Sequence, residues 1–354
     1  MKVAITADVH LKKRAQTPER WHALNQILKQ AKKKQIKALI IAGDLFDAQF
    51  RNYSQFDNLC SKKDYQQIKV HIIPGNHDPL IKQDNFTADN IIVYEQPELV
   101  SFQDKKIFFV PYSAEQTMGS VLAVNQEKLQ GSWILIGHGN WEKSIQSQNP
   151  IEPGVYMPLT RKTLQDYQPA LTVLGHIHKP MDNGGFNVFY PGSPCGLEIT
   201  ETGRRSYLII NLNNFEVKRK RLENEVIYFD EQVVVYPMED EKKYWQEQTA
   251  KMKEHWDLDK KEAAKTFVRI KISGYTSDKR GLKKYFADQF KDFQGWKDEK
   301  IVVDQLGSAD NYELLKISEQ VSEKINQLEL PDKTAEPAKQ EILEQAIKTI
   351  YQVD

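Results

Sequence analysis

Short apolar runs, mostly β-branched, alternate with stretches of helical periodicity from the first residues of the chain. Val3 to Thr6 reads as a strand. Thr17 and Pro18 then open a helix, with Thr17 as N-cap and Pro18 in the first turn, where its missing N–H costs little. Trp21, Leu24, Ile27, Leu28 and Ala31 follow at the spacing of one helical face. Ala38 to Ala42, Val70 to Ile73, Ile107 to Val110, Trp133 to Ile136 and Leu171 to Leu174 are further apolar runs of strand length. Strands interrupted by helices in this way predict an α/β layered fold around a central sheet.

From Phe186 the pattern turns to strand after strand, through Ser206 to Leu212 and Val217 to Leu222. Charged residues, with Trp245 and Trp256 among them, dominate residues 238–262, which read as a connecting helix. Phe267 to Ile272 alternates as a strand and Gly274 marks a turn. Leu282, Tyr285, Phe286 and Phe290 lie on an amphipathic helix, and Ile301 to Val303 closes a small βαβ unit. Two helical stretches, Asn311–Leu328 and Pro337–Tyr351, end the pattern, split by Leu330, Pro331 and Asp332. A chain of 354 residues exceeds what one hydrophobic core organises. The shifts in pattern divide it into residues 1–225, 226–305 and 306–354.

Composition adds exclusions. No apolar run is long enough to cross a membrane as a helix. With the strand-like Lys2–Thr6 at the start, no signal peptide is expected. Cys60 and Cys195 are the only cysteines and lie far apart, so reduced thiols and a cytoplasmic setting are expected. Lys and Arg (49) balance Asp and Glu (49), so any binding to nucleic acid must come from local basic patches.

Five short clusters carry chemistry, all but one directly after a predicted strand: Asp8-Val9-His10, Gly43-Asp44, Gly75-Asn76-His77-Asp78, Gly137-His138-Gly139 and Gly175-His176-Ile177-His178. Strand ends of an open α/β sheet collect ligands because loops converge there. Residues two apart on extended backbone project to the same side, so Asp8 with His10, and His176 with His178, can face a common centre. Oxygen and imidazole donors without cysteine suit Mn²⁺, Fe²⁺, Mg²⁺ or Zn²⁺. Asp8, His10, Asp44, Asn76, His138, His176 and His178 are more donors than one tetrahedral ion needs, so two ions are expected, with Asp44 bridging them. Each cluster alone has an ordinary reading: a strand end, a turn, an Asx-turn, half of a structural zinc site, a satisfied core histidine. Five of the eight histidines fall inside the clusters, which makes coincidence a poor account.

The ordered set of clusters resembles the calcineurin-like metallophosphoesterase superfamily, over roughly the first 200 residues. Gly43-Asp-Leu-Phe46 and Tyr190-Pro-Gly-Ser-Pro194 are similar to motifs of the SbcD nucleases and their meiotic-recombination-eleven homologue. The resemblance implies a β-sandwich flanked by helices, a small α/β capping domain at 226–305 and C-terminal partner-binding helices. It assigns Asp8, His10 and His178 to one metal, Asn76, His138 and His176 to the other, and Asp44 to both. It makes His77 a catalytic group beside the scissile phosphate and lets Asp78 orient its ring. Some relatives carry histidine where this chain has Asp47, so a second catalytic histidine is not expected.

The implied activity is that of a Mn²⁺-dependent DNA nuclease (3′–5′ exonuclease and endonuclease). It would be the catalytic subunit of an SbcCD-like repair and recombination complex, acting on duplex ends with an SbcC-type, SMC-like ATPase. The resemblance also implies a homodimer, to which Trp21 and the segment Tyr53–Leu59 are candidate contributors. Its place would be the cytoplasm, at the nucleoid, or the host cytoplasm for a phage-encoded chain. Lys12, Lys13 and Arg14 directly follow the first metal motif, and Lys279, Arg280 and Lys283 join Arg269, Lys271 and Lys284 in the predicted capping domain; all are candidate phosphate contacts. The same lysines and arginines also fit a solvated loop, and Lys218 to Arg221 a solvated edge strand. The tail helices fit either an ATPase contact or a self-packed hairpin. Two other functions remain open: a small-molecule phosphodiesterase or phosphatase on the same core, and a non-catalytic scaffold.

Overall fold

The computed structural model describes residues 1–48, 53–142, 154–238, 240–308, 312–328 and 335–351. The chain forms two compact units, Met1–Leu197 with Arg204–Glu225, and Glu198–Gly203 with Val226–Asp354.

The larger unit is a sandwich of two six-stranded sheets. With strands numbered in chain order, the elements are β1 (Lys2–Thr6), β2 (Ala38–Ala42), β3 (Lys69–Ile73), β4 (Ile91–Val93), β5 (Glu98–Phe102), β6 (Lys105–Val110), β7 (Trp133–His138), β8 (Leu171–Gly175), β9 (Met181–Asn183), β10 (Val188–Tyr190), β11 (Ser206–Asn211) and β12 (Glu216–Arg221). One sheet runs β12-β11-β1-β2-β3-β4 and the other β5-β6-β7-β8-β10-β9. The centre of each is parallel, with antiparallel strands at edges. Val3, Ile5 and Ile40 of the first sheet pack with Phe109, Ile134 and Val173 of the second in one buried cluster. All five residues of β2 are buried, as expected of a strand covered on both faces.

Helix α1 (Pro18–Lys33) buries Trp21, Ala23, Leu24, Ile27, Leu28 and Ala31, the face its periodicity predicted. Thr17 precedes it but makes no side-chain cap; its hydroxyl instead accepts from the Lys12 amide at 3.3 Å. Three short helices went unpredicted, α2 (Ser54–Cys60), α3 (Met118–Asn125) and α4 (Arg161–Tyr167). Each is too short for its apolar spacing to stand out.

The smaller unit holds β13 (Ile227–Val235), α5 (Glu241–Trp256), α6 (Lys260–Ala263), β14 (Thr266–Thr276), α7 (Lys279–Gln289), β15 (Gln294–Gly295), β16 (Ile301–Ser308), α8 (Tyr312–Asn326) and α9 (Ala335–Tyr351). Its strands are all parallel, with β14 between β13 and the β15/β16 side. Trp245 and Trp256 of α5 and Leu282, Phe286 and Phe290 at α7 cover one face of this sheet. Ile325 of α8 and Leu343 and Ile347 of α9 pack on Val234 and Tyr236. Gly274, expected in a turn, lies inside β14 at φ +99°, where a Cβ would stand 2.0 Å from the Val235 carbonyl oxygen. The predicted link Leu330-Pro331-Asp332 and the start at Asn311 lie outside the described residues. Among the described residues no helix is long and apolar enough to cross a membrane. Both cysteines are buried thiols.

One histidine belongs to the sandwich core. His71 on β3 is 5% exposed, its Nδ1 lies 2.8 Å from the Tyr94 hydroxyl, and its ring packs on Phe102 and Phe109. Burial, with a smaller contribution from Lys69, pushes its pKa down to about 4. The unfolded chain, with an ordinary histidine near 6.5, therefore binds the proton more tightly, and stability falls as pH drops from about 6.5 toward 4. The full contribution is on the order of 3 kcal/mol. Urea unfolding between pH 7 and pH 4.5 should show a shallower loss of stability in His71→Gln than in the wild type. Parallel pH dependences in the two proteins would refute the assignment.

Candidate metal centre

All five clusters lie at the carboxyl ends of strands of the sandwich: Asp8 and His10 after β1, Asp44 after β2, Asn76 and His77 after β3, His138 at the end of β7, and His176 and His178 after β8. The backbone there is not extended. Asp8 (φ 53°), His10 (φ 49°), Asp44 (φ 51°) and His176 (φ 93°) all adopt positive φ, a conformation that side chains other than glycine enter at a cost. Convergence thus comes from strained loop turns rather than from strand alternation, which corrects the geometry expected of the two-apart pairs. Backbone bonds hold the turns: Asp8 N to Gly43 O (3.1 Å), His10 N to Asp44 O (3.0 Å) and Leu11 N to Leu45 O (2.9 Å) continue the pairing of β1 with β2.

Two glycines are required by close approach. A Cβ on Gly75 would lie 2.1 Å from Asp44 Oδ1, and one on Gly43, itself at φ +88°, 2.1 Å from His138 Nδ1.

The side chains form two halves that meet at Asp44. In the first, His10 Nε2 and His178 Nε2 are 3.1 Å apart, and Asp8, His10 and His178 present donor atoms within 4.8 Å of one another. Two nitrogens bound at about 2.1 Å to one ion, at angles from square to tetrahedral, stand roughly 3.0–3.4 Å apart. In the second half, Asn76 Oδ1 lies 2.8 Å from His138 Nε2 and 3.0 Å from His176 Nδ1. Asp44 Oδ2 is 3.6 Å from His10 Nε2 and 3.3 Å from His138 Nε2, between the halves. The structure therefore brings together all seven candidate ligands.

The donor set fits divalent ions on a further observation. Asp8 Oδ2 and Asp44 Oδ2 are buried and accept no hydrogen bond. Their other oxygens are taken, Asp8 Oδ1 by the His176 amide (2.8 Å) and Asp44 Oδ1 by the His77 amide (2.8 Å). A buried carboxylate oxygen without a partner is costly, and a cation is the group these two oxygens, the imidazoles and Asn76 Oδ1 can all serve. His138 Nδ1 lies 2.9 Å from the Ala42 carbonyl oxygen; donation there leaves Nε2 directed at the centre.

Electrostatics agree. Burial pushes the Asp8 carboxyl up to about 6. Burial also lowers His10 well below the ordinary histidine range, which keeps its ring neutral and able to ligate. For Asp44, burial works toward protonation but the facing His138 outweighs it, and the carboxyl is held well below its usual range. His138 moves reciprocally: burial opposes its charge, Asp44 more than offsets this, and the ring rises to about 9. Protons on these side chains compete with a divalent ion for the same atoms, so metal binding weakens as pH falls.

His77 is half-buried, and its ring meets that of His10 edge-on with centroids 4.6 Å apart. Asp78 does something other than orient that ring. Its two oxygens accept from the amides of Gly75 (2.7 Å) and Phe46 (3.0 Å), so it clasps the loop after β3 to the loop after β2. Burial, followed by the charge of Asp44, raises its carboxyl to about 7.

Several further residues support the centre; Arg20 and Arg205 carried no sequence signal, whereas Tyr190, Gly192 and Ser193 belong to the motif singled out above. Arg20 on α1 donates to the His10 carbonyl oxygen (2.6 Å), and the buried Arg205 to that of His178 (2.9 Å). The Tyr190 hydroxyl donates to Gly139 O (2.9 Å) and accepts from Trp141 N (2.6 Å), holding the turn after His138. In the same motif, Gly192 at φ +74° lets Ser193 N reach His178 O at 3.0 Å.

The basic candidates divide. Lys12 pairs with Asp47 at 3.4 Å, while Lys13 and Arg14 are exposed. Lys279, Arg280 and Lys283 are exposed on α7, opposite the buried Leu282 and Phe286, with no ion pair among the described residues. Arg269 and Lys271 are instead tied to Asp230. Arg219 is bound to Asp182 and to the carbonyl oxygens of Tyr190 and Pro191. Trp21, expected at a dimer contact, is 4% exposed and donates to Lys12 O at 2.9 Å, so its ring belongs to the unit's own packing.

Residues 1–180 match the family described as calcineurin-like phosphoesterase. The SbcD component of the SbcCD nuclease from Staphylococcus saprophyticus is 24% identical over 262 residues, covering 62% of this chain and 68% of that protein. The uncharacterized metallophosphoesterase YhaO of Bacillus subtilis is 26% identical over 214 residues, covering 55% of this chain and 50% of that protein. A dimetal phosphatase structure from Danio rerio aligns with 63% of this chain and 97% of its own, at 13% identity and a TM-score of 0.38.

Divalent ions that bind the folded centre alone stabilise it by about 2.7 kcal/mol at a hundredfold excess over Kd. Saturating Mn²⁺ should raise the melting temperature of the wild type by roughly 5–10 °C, reversibly on chelation, and leave Asp44→Ala almost unmoved. An equal rise in the variant would place the ions elsewhere.

Proposed function

The chain belongs to the calcineurin-like phosphoesterase family, a family of metal-dependent phosphoester hydrolases, and from that premise we propose that it is a nuclease cleaving phosphodiesters of DNA with a pair of Mn²⁺ ions. The observation that carries the hydrolytic reading is the unpartnered Asp44 Oδ2, buried between His10 and His138 at the meeting point of two sets of donors. DNA as substrate is supported by the likeness to the SbcD component of SbcCD nucleases and by exposed Lys13, Arg14, Lys279, Arg280 and Lys283. In this reading Asp8, His10 and His178 hold one ion, Asn76, His138 and His176 the other, and Asp44 both. Residues 226–305 act as the DNA-capping domain. Residues 306–354 bind an SbcC-type ATPase, with Ile317 and Ile342 of the tail helices exposed to take part.

The ions supply, when bound, Lewis acidity toward the phosphoryl oxygens and the attacking water. The protein's own groups do the rest. Burial of the centre and the strained turns fix the donors before substrate arrives, so little reorganisation accompanies the reaction. Water would add to phosphorus as it loses a proton to solvent, the ester P–O bond opposite would break, and His77 would pass a proton to the departing oxygen. The His77 amide bond to Asp44 Oδ1 couples the position of this residue to the bridging carboxylate.

Linear duplex DNA with Mn²⁺ tests the proposal. The wild type should release nucleotides. His77→Ser should lose about 10²–10⁴ of the turnover while still binding DNA and Mn²⁺. Rapid cleavage of a small phosphodiester with no action on DNA would replace the nuclease by a small-molecule phosphodiesterase.

A further inference from the structure

The loop that leaves His10 ends at a cavity of mixed lining that the metal centre does not use. It has a volume of about 190 Å³; Trp21 and Leu59 form its apolar wall, and Arg14, Asn25, Gln55, Asn58 and Lys62 its polar rim. One water occupies about 30 Å³ of liquid, so the cavity takes a phosphodiester group with some of its solvent.

Part of its wall is held by hydrogen bonds, while Arg14, Asn58 and Lys62 stand exposed at its rim. The Trp21 indole donates to Lys12 O at 2.9 Å, Gln55 Oε1 accepts from the Arg14 amide at 2.9 Å, and Asn25 Oδ1 accepts from the Tyr65 hydroxyl at 2.8 Å. These bonds leave the amide NH₂ groups of Gln55 and Asn25 as donors. The two cations differ from their neighbours. Lys12 is paired with Asp47 and Lys32 with Asp64, whereas Arg14 and Lys62 make no ion pair among the described residues, although Asp64 lies near enough to Lys62 to feel its charge. Asp57, the acid on α2, is engaged by the amides of Thr87 and Ala88 and the Thr87 hydroxyl. Two cations and the amide NH₂ groups of Gln55 and Asn25 at one cavity outweigh its one open acceptor, the side-chain oxygen of Asn58, and suit an anion.

We propose that this cavity binds a backbone phosphate of the DNA strand at a distance from the cleaved bond, with Arg14 and Lys62 as its charged contacts. This rests on the DNA reading above. It assigns Arg14 to a built subsite and separates it from Lys12, whose charge is met internally. Such a subsite would make the enzyme prefer a polynucleotide, which offers a second phosphate, to a small diester, which has only the one that is cleaved. It would also make that preference sensitive to salt, since a phosphate contact releases counterions.

The test uses the full chain with Arg14→Gln and Lys62→Gln combined, measured on duplex DNA and on bis(4-nitrophenyl) phosphate. The ratio of kcat/KM for DNA to that for the small diester should fall about tenfold, the loss of one charge-assisted contact. The slope of log affinity for DNA against log salt should flatten by about 0.9, one phosphate. Arg14→Lys with Lys62 intact should keep the wild-type slope. A wild type that cleaves DNA while the double variant keeps both ratio and slope overturns this subsite alone. Equal losses on both substrates would assign the residues to the centre or the fold and overturn it as well. A wild type that neither binds nor cleaves DNA removes the DNA reading and the subsite with it.

Discussion

Asp44 Oδ2 is buried and charged, accepts no hydrogen bond of good geometry, and has His138 Nε2 at 3.3 Å and His10 Nε2 at 3.6 Å beside it. A protein interior tolerates such a group only if something positive meets it. The positive φ angles at Asp8, His10, Asp44 and His176 turn four side chains inward against their backbone preference. Gly43 and Gly75 are bare because His138 and Asp44 occupy the space of their Cβ atoms. Arg20 and Arg205 commit their guanidinium groups to the carbonyl oxygens of His10 and His178. Each of these arrangements is unfavourable or wasteful alone and is accounted for by cations held at one place.

The sandwich is what makes that place possible. Parallel strands of two sheets end on the same side, and the loops after β1, β2, β3, β7 and β8 supply donors from five separate stretches of chain. Rigidity comes from bonds between loops rather than within them: Asp78 ties the turn after β3 to Phe46, and Tyr190 ties the turn after β7 to β10. A fold built in this way keeps its chemistry on the rim while the core beneath is packed with aliphatic residues.

The order and type of the donor residues were legible in the sequence because the chemistry demands those side chains and leaves no cheaper substitute. The strands under them were legible because both faces are buried and the runs are almost purely apolar, as in β2. Other elements were hidden for physical reasons. β4, β9 and β10 are three residues each, and β13 is interrupted by Asp230, Glu231 and Gln232, of which Asp230 faces Arg269 across the sheet. Gly274 looked like a turn because glycine usually serves one, yet here it relieves a strand from contact with Val235. Left-handed turns at Asp8 and His10 leave no periodic trace, and neither does the choice of Arg20 over another helix residue. The basic residues show the limit most clearly: Lys12 and Arg14 look alike in the sequence, but one is paired and the other lines a cavity.

The central claim, two ions joined by Asp44, is tested most directly by counting metal. After equilibration with Mn²⁺ and gel filtration, elemental analysis should find two ions per wild-type chain, about one in His176→Ala, and almost none in Asp44→Ala. A single ion in the wild type, or undiminished metal in Asp44→Ala, would contradict the account.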